Sequence, residues 1–342
     1  PLYSSAASDV YKRQVQMKKV LIAILLLGLL PHASADYIHW VDFRLSAPVL
    51  RSALELDMAS QGGEQPLDWI DILALAAAWR GGTGVTVADT QRAAQALRGD
   101  TPPERLPGMA GRFFSYYRAA YGAALGGLVG HFAIRRTDPQ TDEAEWIPAY
   151  GLKAFSPIAA GYPWSHYPDF GAQRSYGYAR PHLGNDILGA LGTPICAVEG
   201  GTVEALGWNQ YGGWRIGIRS DDRKRYYYYA HLRKDTPYAE GLAVGQRVQA
   251  GDVIGFMGRT GYSAQENVNN IETVHLHFGL QLIFDESQKE CDSEIWIDVY
   301  PIIELLASHC SSVARDPQTG RWERLYPYCD LDAEPLRSAA AR

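Results

Sequence analysis

The stretch Val274-His275-Leu276-His277-Phe278-Gly279-Leu280-Gln281-Leu282-Ile283 limits what this chain can fold into more than any other. Leu276, Phe278, Leu280 and Leu282 alternate with His275, His277 and Gly279. That is the period of a half-buried strand. Residues two apart on a strand share a face and lie about 6.6 Å apart along it. The pattern predicts two imidazoles side by side on a sheet whose other face is core. One histidine there could simply be packed; a parallel pair is costly unless a metal or a proton uses it.

The surroundings agree with a sheet. From about Pro148 onward, short alternating runs are cut by turns. Strands are expected at 195–208 (two, around Gly200-Gly201), 214–219, 225–231, 249–257 and 274–284. With no βαβ rhythm, this texture indicates an antiparallel β domain, here 148–308. A helix is expected at 301–308. Residues 47–132 read differently. Apolar residues at helical spacing predict helices at 48–59, 67–79, 87–97 and 113–128, with Gly62-Gly63 and Gly81-Gly82 as stops. The aromatics Phe113, Tyr116, Tyr117 and Tyr121 read as core. The polar, turn-rich segment 135–145 reads as a linker. The fold class is therefore α+β: a helical accessory domain (36–140 with its linker) ahead of the sheet domain, and a C-terminal extension at 309–342.

The first 16 residues are set aside, because Asp9-Val10-Tyr11-Lys12-Arg13-Gln14 back-translates to a transposon-end adaptor. Met17-Lys18-Lys19, the apolar run 20–30 and Ala33-Ser34-Ala35 read as a signal peptide at 17–35. A membrane span needs about 20 apolar residues, so cleavage after Ala35 is expected rather than an anchor. The implied location is outside the cytoplasm: periplasm, cell wall or medium. A net charge of −6 leaves no basic footprint, which argues against nucleic acid as a partner. Four cysteines in an exported chain permit disulfides. Cys310 and Cys329 flank the turn 316–320, where a bridge would staple a hairpin. Cys196, in an apolar run, reads equally as a buried thiol. No spacing suggests a cysteine metal site.

The chemistry lies in the histidines. His182 and Asp186 stand four apart with Gly184 between them, so both can reach one ion where the chain curls. Zinc accepts imidazole nitrogen and carboxylate oxygen, and a His₂Asp set leaves a fourth position for water, as catalytic sites do. His231 ends the run Tyr226-Tyr227-Tyr228-Tyr229-Ala230, and on a strand it shares a face with Tyr227 and Tyr229. It suits a proton carrier beside an activated water. His166 reads as structural or as a groove residue, and His309 as exposed. HExxH and GxSxG are absent from the sequence.

His182-xxx-Asp186, Ala230-His231-Leu232 and His275-x-His277 together resemble the signature of the lysostaphin-type zinc endopeptidases, the twenty-third metallopeptidase family. Phe170-Gly171 and the segment from Val244 to Gly255 match that family's pattern too. The resemblance covers about 155–305. It implies a duplicated-hybrid-motif-like sheet, one Zn²⁺ per chain, and His182, Asp186 and His277 as its ligands. It implies His231 and His275 as catalytic non-ligands, and a tyrosine or asparagine by the cleft, for which Tyr176, Tyr178 and Asn209 are the candidates. It further implies an exported endopeptidase acting on peptidoglycan peptides. The alternative is a catalytically silent scaffold or activator of another wall hydrolase, which usually lacks one or more of the five residues. The bond cut and the role of 47–132 stay open; a partner- or wall-binding module is one option.

Overall fold

The computed structural model describes residues 37–137, 144–290 and 293–333. The adaptor-like start and the signal-peptide reading lie outside these residues, as does Cys291. No helix among them is long and apolar enough to cross a membrane.

Four helices come first: α1 (Ala47–Ser60), α2 (Trp69–Arg80), α3 (Val87–Leu97) and α4 (Met109–Leu125). Their ends follow local chemistry. The Asp68 carboxylate accepts from the Ile70 amide at the start of α2, and Gly81 ends that helix at φ +64°. Thr86 and Asp89 form a capping box on α3. Every residue of α2 from Ile72 to Ala78 is buried, because α1, α3 and α4 pack around it.

Strands follow: β1 (Val129–Thr137), β2 (Ala144–Leu152), β3 (Trp164–His166), β4 (Gln173–Arg174), β5 (Arg180–Pro181), β6 (Asn185–Gly189), β7 (Pro194–Cys196), β8 (Gly201–Asn209) and β9 (Gly213–Ser220). Then come β10 (Arg225–Ala230), β11 (Arg247–Val248), β12 (Val253–Phe256), β13 (His275–Leu282), β14 (Ile295–Ile297), helix α5 (Tyr300–Leu306), and β15 (Val313–Arg315), β16 (Trp322–Arg324) and β17 (Tyr328–Asp330). The main sheet has eight strands in the order β11-β8-β9-β10-β13-β6-β3, with β14 also on β13, and its pairs are antiparallel. On β13 the expected alternation holds. Leu276, Phe278, Leu280 and Leu282 are buried in the core, and His277 points the other way into a groove.

Three expectations are corrected. The supposed linker at 135–145 has strand at both of its described ends: β1 and β2 pair along their length, with Arg136 opposite Glu145 and Thr137 opposite Ala144, and β17 adds to β1. A polar strand pair at a sheet edge has the same composition as a linker, so polarity alone misled. The two strands expected around Gly200-Gly201 do form, as β7 and β8, and they lie in different sheets, since β7 pairs with β12. Finally, the hairpin β15–β16 forms around the expected turn, but the disulfide does not. The Cys310 thiol donates to the Ala307 carbonyl at 3.4 Å and is unbridged, while Cys329 is held on β17 opposite Ala133 of β1. His309 is also no exposed tail residue. It stacks on Phe155 with ring centres 4.6 Å apart and bonds the Ala154 carbonyl at 2.6 Å. Cys196 is a buried thiol, and burial pushes its pKa up to about 12.

The helices and the sheet share one compact unit from Ile38 onward. Arg225, 1% exposed, joins them. Its guanidinium donates to Glu199 at 2.7 and 3.1 Å on the sheet side. It also donates to the Ala123 and Gly122 carbonyls, at 2.7 and 3.3 Å, in the last turn of α4. A cation suits that helix end, where carbonyls lack partners and the dipole is negative. α1 packs on α5 as well.

Candidate active site

Asp186 on β6 and His277 on β13 are opposite one another in the ladder, so the sheet itself sets carboxylate beside imidazole. His182 reaches them from the turn before β6. Its Nε2 lies 2.7 Å from His277 Nδ1 and 3.0 Å from Asp186 Oδ1, and His277 Nδ1 lies 3.3 Å from the same oxygen. Among the described residues these three form the metal-capable group, with ligand atoms all within 4.8 Å of one another. Bonds of about 2.0–2.1 Å to a tetrahedral zinc place ligand atoms about 3.3 Å apart, so the trio fits one face of such a site, slightly contracted. Gly184 makes the approach possible. A Cβ there would meet His277 Cε1 at 2.7 Å and Nε2 at 2.8 Å.

Behind the trio stands Asp169, buried and not singled out by the sequence. One of its oxygens lies 3.1 Å from His182 Nδ1, and the other accepts from the Asn185 amide at 2.8 Å. With Nδ1 turned to Asp169, Nε2 of His182 is the atom presented to the cluster. Arg174 bridges Asp169 and Asp186 at 3.1 and 2.7 Å. Without metal, burial works against protonation of His182, but its bonds to Asp169 and Asp186 carry the pKa up to about 9. Burial would raise Asp186, yet the bonds from His182 and His277 hold it well below the usual carboxylate range. One proton on His182 thus holds the cluster together.

Two more imidazoles face the trio. His231 Nδ1 donates to the Thr260 carbonyl at 3.0 Å, and His275 Nδ1 to the Thr273 carbonyl at 2.9 Å. A carbonyl only accepts, so the neutral ring in each case keeps its lone pair on Nε2. His275 Nε2 lies 3.7 Å from Asp186 Oδ1, and the rings of His231 and His275 are 4.8 Å apart. Burial, with His275 and His277 close by, keeps the His231 pKa well below its ordinary value. His231 does not share a face with Tyr227 and Tyr229. β10 stops at Ala230, and φ of +61° at His231 swings its ring to the groove. Tyr227 and Tyr229 are core; Tyr226 and Tyr228 line the groove.

The groove measures about 540 Å³. Asn209 lines it and accepts from the amides of Tyr211 and Gly212 at 3.0 and 2.5 Å, while its side-chain amide donates to the Tyr228 hydroxyl at 3.0 Å. Tyr176 and Tyr178 stand at the rim. Tyr176 stacks on Tyr262 at 4.6 Å, and Tyr178 meets Tyr211 edge-on. Tyr211 and Tyr262, which the sequence did not single out, line the groove itself, and Tyr262 lies 6.0 Å from His231. His166 is structural: it bonds Asn185 at 2.7 Å and stacks on Tyr300.

The antiparallel sheet thus carries a His–Asp–His cluster in an open groove. Residues 180–290 match the model of Peptidase family M23. The chain is 39% identical over 130 residues to the L-Ala--D-Glu endopeptidase of Bacillus subtilis, which is 38% of this chain and 38% of that protein. It is 38% identical over 98 residues to the glycyl-glycine endopeptidase ALE-1 of Staphylococcus capitis, 28% of this chain and 24% of that protein. It is 31% identical over 102 residues to the peptidoglycan DD-endopeptidase ShyC of Vibrio cholerae, 30% of this chain and 20% of that protein. The chain thus spans well under half the length of these relatives.

Proposed function

We propose that this chain is an exported, zinc-dependent endopeptidase that hydrolyses peptide bonds of bacterial peptidoglycan. One observation carries the reading: His182, Asp186 and His277 converge, and the lone pairs of His231 and His275 are turned to the same space. The relatives' names support the substrate class. They name three different bonds, so the bond cut here stays open.

Zinc held by His182 Nε2, Asp186 Oδ1 and His277 Nδ1 supplies Lewis-acid chemistry, acidifying water to a pKa of about 7 and polarising an amide carbonyl. His231 is the general base. It is neutral at pH 7, and the Thr260 carbonyl aims its Nε2 lone pair. The proton it takes then goes to the leaving amine. His275, oriented by the Thr273 carbonyl, faces the charge that grows on the carbonyl oxygen. Water is the nucleophile, with no acyl-enzyme. Asp169 keeps His182 in the ligating tautomer.

The silent-scaffold alternative finds no support, since none of the five residues is missing. The test is release of dye from labelled sacculi by zinc-loaded protein. Release is expected, with loss in His182→Ala. Undiminished release by that variant would sink the reading.

A further inference from the structure

The arginines of β9 and β10 divide into two kinds. Arg219 pairs with Glu286 at 2.6 Å, and Arg225 with Glu199 and Asp222. Arg215 has no carboxylate within ion-pair distance among the described residues, and its Nε is buried without a hydrogen-bond partner. Yet it lines the same groove as His182, Asp186, His231 and His277. The groove's own acids are engaged elsewhere. Asp186 belongs to the metal-capable trio, Glu204 is surrounded by Lys289, Arg219 and Arg223, and Glu294 accepts from the Trp296 indole.

Register places Arg215 with respect to the trio. Ile216 is opposite Tyr229, Ala230 is opposite His277, and His277 is opposite Asp186. Arg215, one residue before Ile216, therefore falls on the row that runs through Ala230 to the two ligands. Two strand spacings, roughly 10 Å, separate its backbone from that of His277. Only the methyl group of Ala230 stands between them on that row. Gly217 completes the arrangement: a Cβ there would meet the Tyr226 hydroxyl at 1.8 Å, so glycine lets that hydroxyl lie beside Arg215, which it bonds.

A guanidinium on a groove floor with no carboxylate beside it and a buried Nε–H unmatched is costly unless an incoming group meets it. Arginine meets carboxylates two-pronged. We propose that Arg215 binds a free carboxylate of the substrate, so that the groove selects acidic peptides. An extended residue spans about 3.5 Å, which puts the acid within about three residues of the scissile bond. The inference rests on the peptidase reading above for which molecule enters.

The test uses two synthetic peptides, both amidated at the C-terminus: L-Ala-γ-D-Glu-L-Lys-D-Ala with a free Glu α-carboxylate, and the same peptide with that group as a carboxamide, so that they differ only in the one acid. Binding is measured by calorimetry on zinc-loaded protein carrying His231→Ala, and again on His275→Ala, so that substrate is held uncut. The acid is expected to bind at least about tenfold more tightly than the amide. Adding Arg215→Gln brings the acid down to the amide's affinity, and Arg215→Lys restores part of the difference. Equal binding of acid and amide, or an equal loss of both in Arg215→Gln, overturns the proposal. Cleavage by the unsubstituted protein is followed separately. A kept acid preference with no cleavage upholds Arg215 as an acid receptor and removes the peptidase reading instead.

Discussion

Asp169 and His182 meet at 3.1 Å, carboxylate oxygen to Nδ1, while the opposite nitrogen of the same ring faces Asp186 and His277. A carboxylate behind a ligating imidazole fixes its tautomer and raises its basicity. Asp169→Ala should therefore weaken zinc affinity about 10–100-fold while the three ligands stay in place. Chelator competition measures this, and an unchanged affinity would remove Asp169 from the account.

Gly184 is needed for closeness rather than for backbone freedom. Gly184→Ala drives a methyl group into the His277 ring at 2.7 Å, so the imidazole must move. The expected result is folded protein by circular dichroism, with zinc content and activity falling together. Full zinc occupancy in this variant would mean that the ring has room the structure does not show.

The proton on His182 competes with metal. Its folded pKa of about 9 lies above the ordinary 6.5, so at pH 7 zinc must displace a proton. Uptake should release about one proton at pH 7, read by calorimetry in buffers of differing ionisation enthalpy. Affinity should rise with pH until about 9. For the metal-free chain the sign is opposite. A raised pKa contributes stability that is complete below about 6.5 and lost as the pH climbs to about 9. Metal-free protein that grows more stable over that interval would contradict the proton's place.

Arg225 tests the joint between helices and sheet. Arg225→Met leaves Glu199 buried without its cation and α4 without its terminal donor. Removing one partner of a buried pair costs about 3–5 kcal/mol. Urea unfolding should show a loss of that size in a single transition for helices and sheet. Two separate transitions in the parent protein would mean that the helical part is an independent module.

What the sequence disclosed was local. The alternation around His275 and His277 survives because a strand's period is written in consecutive residues, and Gly184 between His182 and Asp186 marks a curl. The partners that aim these groups are distant. Thr260 lies 29 positions from His231, and Asp169 lies 13 from His182. Nothing in a single sequence joins such pairs, although Asp169, just before Phe170-Gly171, was near a matched segment. One residue decided the face of His231: its left-handed backbone breaks the strand period after Ala230. The strand ends at 135–137 and 144–145 read as a linker because they are polar and because β17, which pairs with β1, arrives from the far end of the chain. Arg215 was hidden for a different reason. An arginine on a strand is unremarked until the absence of an acid beside it can be seen.

Mass spectrometry of muropeptides from purified sacculi, after digestion with zinc-loaded protein, bears most directly on the central claim. Fragments whose masses together equal the parent plus one water are predicted, from a single kind of peptide bond, and absent after chelation or with Asp186→Ala. A muropeptide profile unchanged by protein with a full complement of zinc would contradict it.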